Sequence, residues 1–320
     1  MKNDNFVGTI CNKCRNPTCI CKNVKAMKNK NLIGISGKKR SGKNTVASII
    51  QYLIWKSRVE ARKSTVLNCT LKDFMNNPLI QISKSGYEQK SFAYKLKQIV
   101  SLLTGVPVKD LEKEEVKNST LPEEWWYWYM ELEGGYSPVI LDYLTTPKKI
   151  LKNYDGLKLI KPTYRQVLQQ LGTDLLRDQL HPNVHINGLF ADYKIKDNLL
   201  EGEVRKLREE DLIYPKWILT DPRFFNEIEK IKEYNGIIIR IERNTELRFP
   251  ELWDDFQNQN KYDSWDDYLK SIDKFDVVYH KSETALDNYT EFDYVIHNNS
   301  NLDSLVEKVR KILIKEKIII

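Results

Sequence analysis

Apolar residues in this chain gather into a few blocks separated by long polar stretches. The first block, Leu32, Ile33 and Ile35, has the length of a buried strand, and Val46–Trp55 then reads as an apolar helix spanning 43–57. In the stretch SFAYKLKQIVSLLTG, Phe92 and Ala93 close a strand. Leu96, Ile99, Val100 and Leu103 then fall at helical spacing until Gly105 and Pro107 stop the helix. Val167, Leu168, Leu171, Leu175 and Leu176 share one face of a further helix that Thr163 caps. Trp217–Thr220, Arg223–Tyr234 and Ile237–Ile241 read as strand, helix and strand, with Gly236 ending the helix. A β-α-β unit of this kind predicts a parallel sheet with a right-handed crossover. The chain closes with strand Tyr294–His297 and amphipathic helix Leu302–Ile314, and Ser64–Asn68 or Leu79–Ser83 could be strands. Residues 107–162 and 244–290 break the pattern and read as insertions, the first rich in aromatics from Trp125 to Tyr129. That aromatic run could stack nucleic-acid bases, but a packed insertion is the simpler account.

The chemistry that changes this picture lies between the first strand and its helix. Gly37 to Thr45 read G-x-x-x-x-G-K-x-T, and strand, glycine-rich loop and helix in that order are the context of a P-loop. Glycines let the backbone curl until successive N–H groups point inward, and the helix N-terminus turns its positive end toward a bound anion. Lys43 adds a mobile charge for the outer phosphates. The common form places Ser or Thr directly after this lysine; here Asn44 stands there and Thr45 follows. Magnesium would then be held mostly through water and phosphate. A turn that merely contains Gly-Lys is the competing reading.

Composition narrows the class. The 320 residues are 41% hydrophobic and 30% charged, which suits a globular protein with one large core or two modest ones. No apolar stretch is long enough to span a bilayer, and MKNDNFVGTICNKC lacks an apolar signal core, so a cytoplasmic protein is expected. The net charge of +7 favours anionic ligands without separating nucleotides from nucleic acid. Four of the five cysteines lie in Cys11-x-x-Cys14-x4-Cys19-x-Cys21. They read either as a small Zn2+ site or as part of a flexible, basic, Cys-rich extension over residues 1–30.

Two further patterns matter. Arg165, Gln169 and Thr173 step along one helix at intervals of four, placing a cation, an amide and a hydroxyl in a row. Gly172 beside them costs about 1 kcal/mol in a helix, which points to close approach by a ligand or another backbone. Asp221, at the C-terminal end of a strand, either orders magnesium through water or caps the next turn. Asn260-Lys261-Tyr262-Asp263 matches a guanine-reading pattern but follows no apolar strand, so it counts as chance.

Taken together, GKKRSGKNT, SFAYKLKQIV, LTGVPVKDLEKEEVKN, YRQVLQQLGTDLLRDQLHPN, LFADY, WILTDPRFFNE, IIIRIERN and HKSETALDNY occur in one order over residues 31–316. In this the chain resembles the bacteriophage-type deoxynucleoside monophosphate kinases. The resemblance implies a P-loop NTPase fold, three α/β/α layers around a mostly parallel central sheet with helical and aromatic insertions, occupying 31–320. It implies transfer of the terminal phosphoryl group of ATP, with Mg2+, to a deoxynucleoside monophosphate. Gly37, Gly42, Lys43, Asn44, Thr45 and Val46 match the ATP-phosphate loop, and Arg240 and Arg243 a position from which ATP is contacted. Lys39 and Arg40 match basic positions facing the transferred group, and with Lys43 and Arg165 they are the expected catalytic residues. Lys39, Lys97, Gln98, Lys117, Arg165, Gln169, Gly172, Thr173, Asp174 and His185 match the acceptor site, with Thr45 and Asp221 nearest the metal. His185 stands where many relatives carry Trp, which leaves the stacking contact with the acceptor base, and with it base preference, open. Relatives from viruses with DNA genomes imply action in a host cytoplasm, and a homodimer stays open. The rival readings are a kinase of another small phosphorylated metabolite, since phosphomevalonate kinases carry a similar loop, and a nucleic-acid-binding ATPase.

Overall fold

The computed structural model describes residues 29–61, 69–76, 85–132, 137–194, 196–197, 212–259, 261–272 and 274–320. Cys11, Cys14, Cys19 and Cys21, and both candidate strands between 64 and 83, lie outside these. Among the described residues there are ten strands: β1 (Asn29–Gly37), β2 (Glu88–Lys90), β3 (Tyr127–Met130), β4 (Val139–Asp142), β5 (Lys158–Ile160), β6 (Lys196–Asp197), β7 (Leu212–Ile213), β8 (Trp217–Leu219), β9 (Gly236–Glu242) and β10 (Tyr294–His297). Five form one sheet in the order β10-β9-β1-β8-β2, with every neighbouring pair parallel. The β-α-β expectation holds in this form: β8 and β9 flank β1 on either side rather than pairing with each other.

Strand period places successive side chains on opposite faces of this sheet. Ile33, Ile35, Ile218, Ile237, Ile239, Ile241 and Ile296 point to one face, against Val46, Ile49, Ile50 and Leu53 of helix α1 (Lys43–Ala61) and against Leu305, Val309 and Leu313 of the last helix, Leu302–Lys315. Leu32, Trp217, Leu219 and Ile238 point to the other, against Ile228 and Ile231 of helix Phe225–Glu233 and Ile186, Leu189 and Phe190 of helix Val184–Phe190. Helices therefore cover both faces. This is a mixed α/β protein with a parallel central sheet, compatible with the expected three layers.

Two smaller clusters complete the described core. Helix α2 (Tyr94–Thr104) contributes Leu96 and Val100 to a cluster with Leu111, Leu121 and Tyr164. Short helix α3 (Glu114–Asn118) and α4 (Tyr164–Gln169) lie beside it, and a Thr120–Thr163 bridge ties their segments together. Within 107–162, β3 pairs antiparallel with β4 and β5, so Tyr127, Trp128 and Tyr129 belong to a half-buried sheet, while Trp125 ends a short 3-10 turn and packs on the Leu111 and Leu121 cluster. Helices between Thr245 and Thr284 build the other cluster around Phe249, Tyr268, Leu269 and Val278.

Some boundaries differ from expectation. The strand before α2 ends at Lys90, not Ala93, because the Asp221 carboxylate accepts from Ser91 Oγ and from the Phe92 and Ala93 amides and folds these residues into a turn. The helix from Tyr164 is α-helical only to Gln169 and continues as a π-helix from Gln170 to Leu180. At its end the His181 amide reaches the Leu176 carbonyl, five residues back, at 3.0 Å. The wider turn leaves Leu175 48% exposed, off the apolar face expected of it.

Candidate active site

A cavity of about 1000 Å³ opens where the C-terminal ends of β1, β2 and β8 meet α1, α2, α3 and the helix 164–180. In parallel sheets this is the end at which ligands bind. Lys39, Arg40, Gly42, Lys43, Asn44, Thr45, Lys97, Lys117, Arg165, Gln169, Gly172, Thr173, His185 and Asp221 all line it. Residues from Lys39 to Asp221 are thus brought together around one cavity.

The loop after β1 is tightly braced. Lys43 Nζ donates to the carbonyls of Gly37 at 2.6 Å and Lys38 at 2.8 Å. Burial, and then the Arg223 guanidinium, push the Lys43 ammonium down from 10.5 to about 7, while Glu283 and Asp221 pull the other way. Gly42 has φ +101°, and a Cβ there would lie 2.6 Å from Asn298 Nδ2, which donates to the Ser41 carbonyl at 2.9 Å. From outside the loop, Arg248 Nε donates to the Lys39 carbonyl at 2.8 Å and the Glu283 carboxylate accepts from the Lys39 amide. Glu283, itself buried, also pairs with Arg223 and so ties the loop to the segment after β8. Ser41 Oγ is buried without a hydrogen-bond partner.

A second group of cations lines the same cavity. Lys39, Lys117 and Arg165 converge on the Glu114 carboxylate at 3.1, 3.2 and 2.7 Å, and Lys97 pairs with Glu112 at 2.6 Å. Burial raises the Glu114 carboxyl, but Lys39, Arg165 and Lys117 outweigh it and hold the group at about 2. Burial, then Arg165, lowers Lys39, and Glu114 opposes them.

Deeper in the cavity wall, Arg177 Nη2 donates to Glu227 Oε1 at 2.8 Å, and its guanidinium lies over the Phe224 ring at 3.8 Å. Glu227 Oε2 accepts from the Arg223 and Phe224 amides, capping helix 225–233. Burial raises the Glu227 carboxyl despite these partners. His185, buried, has Nε2 2.8 Å from the Gly172 carbonyl, and burial lowers its pKa. Gly172 is tight for a packing reason: a Cβ would lie 2.5 Å from Leu96 Cδ2, so its close neighbour is a side chain of α2.

Six expected residues stand outside the cavity lining: Gly37, Val46, Gln98, Asp174, Arg240 and Arg243. Val46 is fully buried under the sheet, and Gln98 and Asp174 follow Lys97 and Thr173 by one residue, which turns them aside on their helices. Arg240 is buried against Ser36 at 3.2 Å and Asp287 at 3.6 Å. Asp221 is a turn cap. Glu112, Glu114, Arg177, Arg223, Glu227 and Glu283 line the cavity without having been singled out. Only Arg177 carried a usable signal, as the next step of the row Arg165, Gln169, Thr173. Among the described residues no group of three or more His, Cys, Asp or Glu could hold a metal ion; the four cysteines of the Zn2+ expectation lie outside them. No described helix is long and apolar enough to cross a membrane.

A mixed α/β protein with a cation-lined cavity at the carboxyl end of its parallel sheet has a site suited to an anionic ligand. No protein-family model matches the chain. It is similar to a protein of Acanthamoeba polyphaga mimivirus named "Putative deoxynucleotide monophosphate kinase", 23% identical over 277 residues, which are 85% of this chain and 99% of that protein. The likeness supports a kinase, a transferase.

Proposed function

We propose that the chain is an ATP-dependent kinase that phosphorylates deoxynucleoside monophosphates to diphosphates, supplying precursors for DNA synthesis. One observation carries this reading. Lys43, at the start of α1, and the group Lys39, Lys97, Lys117 and Arg165 line a single cavity. Phosphoryl transfer between two nucleotides asks for two adjacent anion sites, because its catalysis is positioning and charge neutralisation. The mimivirus protein's name points the same way.

The residues present fit a triphosphate with magnesium. The loop is tight, its Ser41 hydroxyl lacks a partner, and Lys43, Asn44 and Thr45 face the cavity. Thr45 is the hydroxyl that would stand beside the metal. Asp221, with both oxygens engaged by turn donors, reaches a cation only through water. Magnesium, when bound, neutralises charge on the phosphate oxygens. Lys43 and the first N–H groups of α1 hold the donor phosphates. Lys39, Arg40 and Arg165 offset charge on the equatorial oxygens as the group transfers. Lys97, Lys117 and the row Gln169, Thr173 align the acceptor. An acceptor phosphate oxygen is already ionised, so no general base is required.

Turnover with ATP against dAMP, dCMP, dGMP, dTMP, their ribose counterparts and phosphomevalonate tests the substrate. Phosphorylation of another phosphomonoester with none of the deoxynucleotides would overturn the reading. Lys43→Ala is expected to abolish turnover with the fold intact; full activity in that variant sinks the assignment of the loop.

A further inference from the structure

The carboxylates that hold the second cation group come from one short stretch, Glu112–Lys117. Glu114 Oε2 accepts from Arg165 Nη2 at 2.7 Å and lies 3.1 Å from Lys39 Nζ, while Oε1 accepts from Lys117 Nζ at 3.2 Å. Glu112 Oε1 takes Lys97 Nζ at 2.6 Å, and its carbonyl takes Lys117 Nζ at 3.1 Å. The exposure of the partners is unequal. The Glu114 side chain is 49% exposed, whereas Lys39, Lys117 and Arg165 are 20%, 17% and 24% exposed. The acid therefore reaches from the solvent side onto a recessed basic patch.

Three cations against one carboxylate leave two positive charges unbalanced, the complement of a phosphomonoester dianion. Without the carboxylate, three like charges on long side chains would repel one another until a phosphate took its place. With it, they stay converged, and the carboxylate, 49% exposed, has solvent to turn into when a phosphate arrives. We propose that Glu114 is the internal counter-ion of the acceptor-phosphate subsite. It is a positioning residue that keeps Lys39, Lys117 and Arg165 converged and yields them to the incoming phosphate. The proposal deepens the kinase reading and rests on it for the identity of the acceptor.

The test uses the full chain with Glu114→Gln, which keeps the shape and removes the charge, and Glu114→Asp, which keeps the charge. Glu114→Ala is a second neutral variant should Glu114→Gln lose its thermal transition. Inorganic phosphate is titrated calorimetrically into each, and its contribution at the Lys43 loop is common to all of them. The neutral variants are expected to bind phosphate about threefold tighter or more, and Glu114→Asp to bind it like the unaltered chain. In turnover, KM for the monophosphate falls in step with the phosphate Kd, independently of any change in kcat. Phosphate bound equally or more weakly by the neutral variants, or bound by none of the proteins, overturns the proposal. Tighter phosphate binding in a protein that phosphorylates no deoxynucleotide upholds the counter-ion and overturns the substrate reading alone.

Discussion

Lys43→Met should flatten the pH dependence of stability in a way that no other single change in the loop would. The Lys43 ammonium is pushed from 10.5 to about 7 by burial and then by Arg223. Its folded pKa lies below its unfolded one, which fixes the sign. Below about pH 7 both states carry the proton and the folded protein bears the whole cost of the buried charge. Between that pH and 10.5 the unfolded chain holds a proton the folded one lacks, so stability rises with pH; above 10.5 the cost is gone. The whole difference is about 5 kcal/mol, of which about 3 kcal/mol is released between pH 6 and pH 9. Methionine keeps the apolar stem and removes the titrating group. The Gly37 and Lys38 carbonyls lose their donor at every pH, so that loss cancels in the comparison. Urea unfolding without nucleotide, at both pH values, is the assay. Relative to the unaltered chain, Lys43→Met should be more favourable at pH 6 than at pH 9 by about 3 kcal/mol. Parallel stability curves for the two proteins would refute the reasoning.

Three further outcomes are expected. Phosphates beside Nζ restore the charged form of Lys43, so ATP binding near pH 8 should take up a proton, and its calorimetric enthalpy should vary with the ionisation enthalpy of the buffer; no such variation contradicts this. Gly42→Ala forces a Cβ against Asn298 at positive φ, which should cost about 1–3 kcal/mol in thermal unfolding and remove turnover; a variant with unchanged Tm counts against the loop geometry. Arg177→Ala strands the Glu227 carboxylate, 3% exposed, and should cost about 3–5 kcal/mol in urea, with Arg177→Met/Glu227→Gln losing less; equal losses would show that the charge is not the cause.

What could be read from the chain were features built from neighbouring residues. Gly37–Thr45 sits between two apolar blocks, and its position at the end of a buried strand follows from that order. Arg165, Gln169 and Thr173 were legible because a helix repeats at nearly four residues, and the π-helical continuation keeps Arg177 on the same wall. Glu114, Glu227 and Glu283 were not legible. Their role depends on partners distant in sequence: Arg177 lies 50 positions from Glu227, Arg165 51 from Glu114 and Arg223 60 from Glu283. A charged residue in a polar stretch reads as a solvated face until the fold supplies its counter-ion. Gly172 was legible as a tight position, but that the Leu96 side chain is what a Cβ there would meet was not.

The place of β1 has a kinetic consequence. With parallel partners on both sides, it can separate only if the sheet comes apart, and the loop that follows Gly37 inherits that resistance. The stretches carrying Glu114 and Arg165 are joined to each other by the Thr120–Thr163 bridge, the Arg165–Glu114 pair and a small apolar cluster separate from those on the sheet, a unit whose opening need not disturb the sheet. Amide hydrogens around Lys43 should therefore exchange on the timescale of whole-molecule unfolding, and those around Glu114 much sooner. Traffic into and out of the cavity would then pass on the Glu114 side, with the loop as its fixed post.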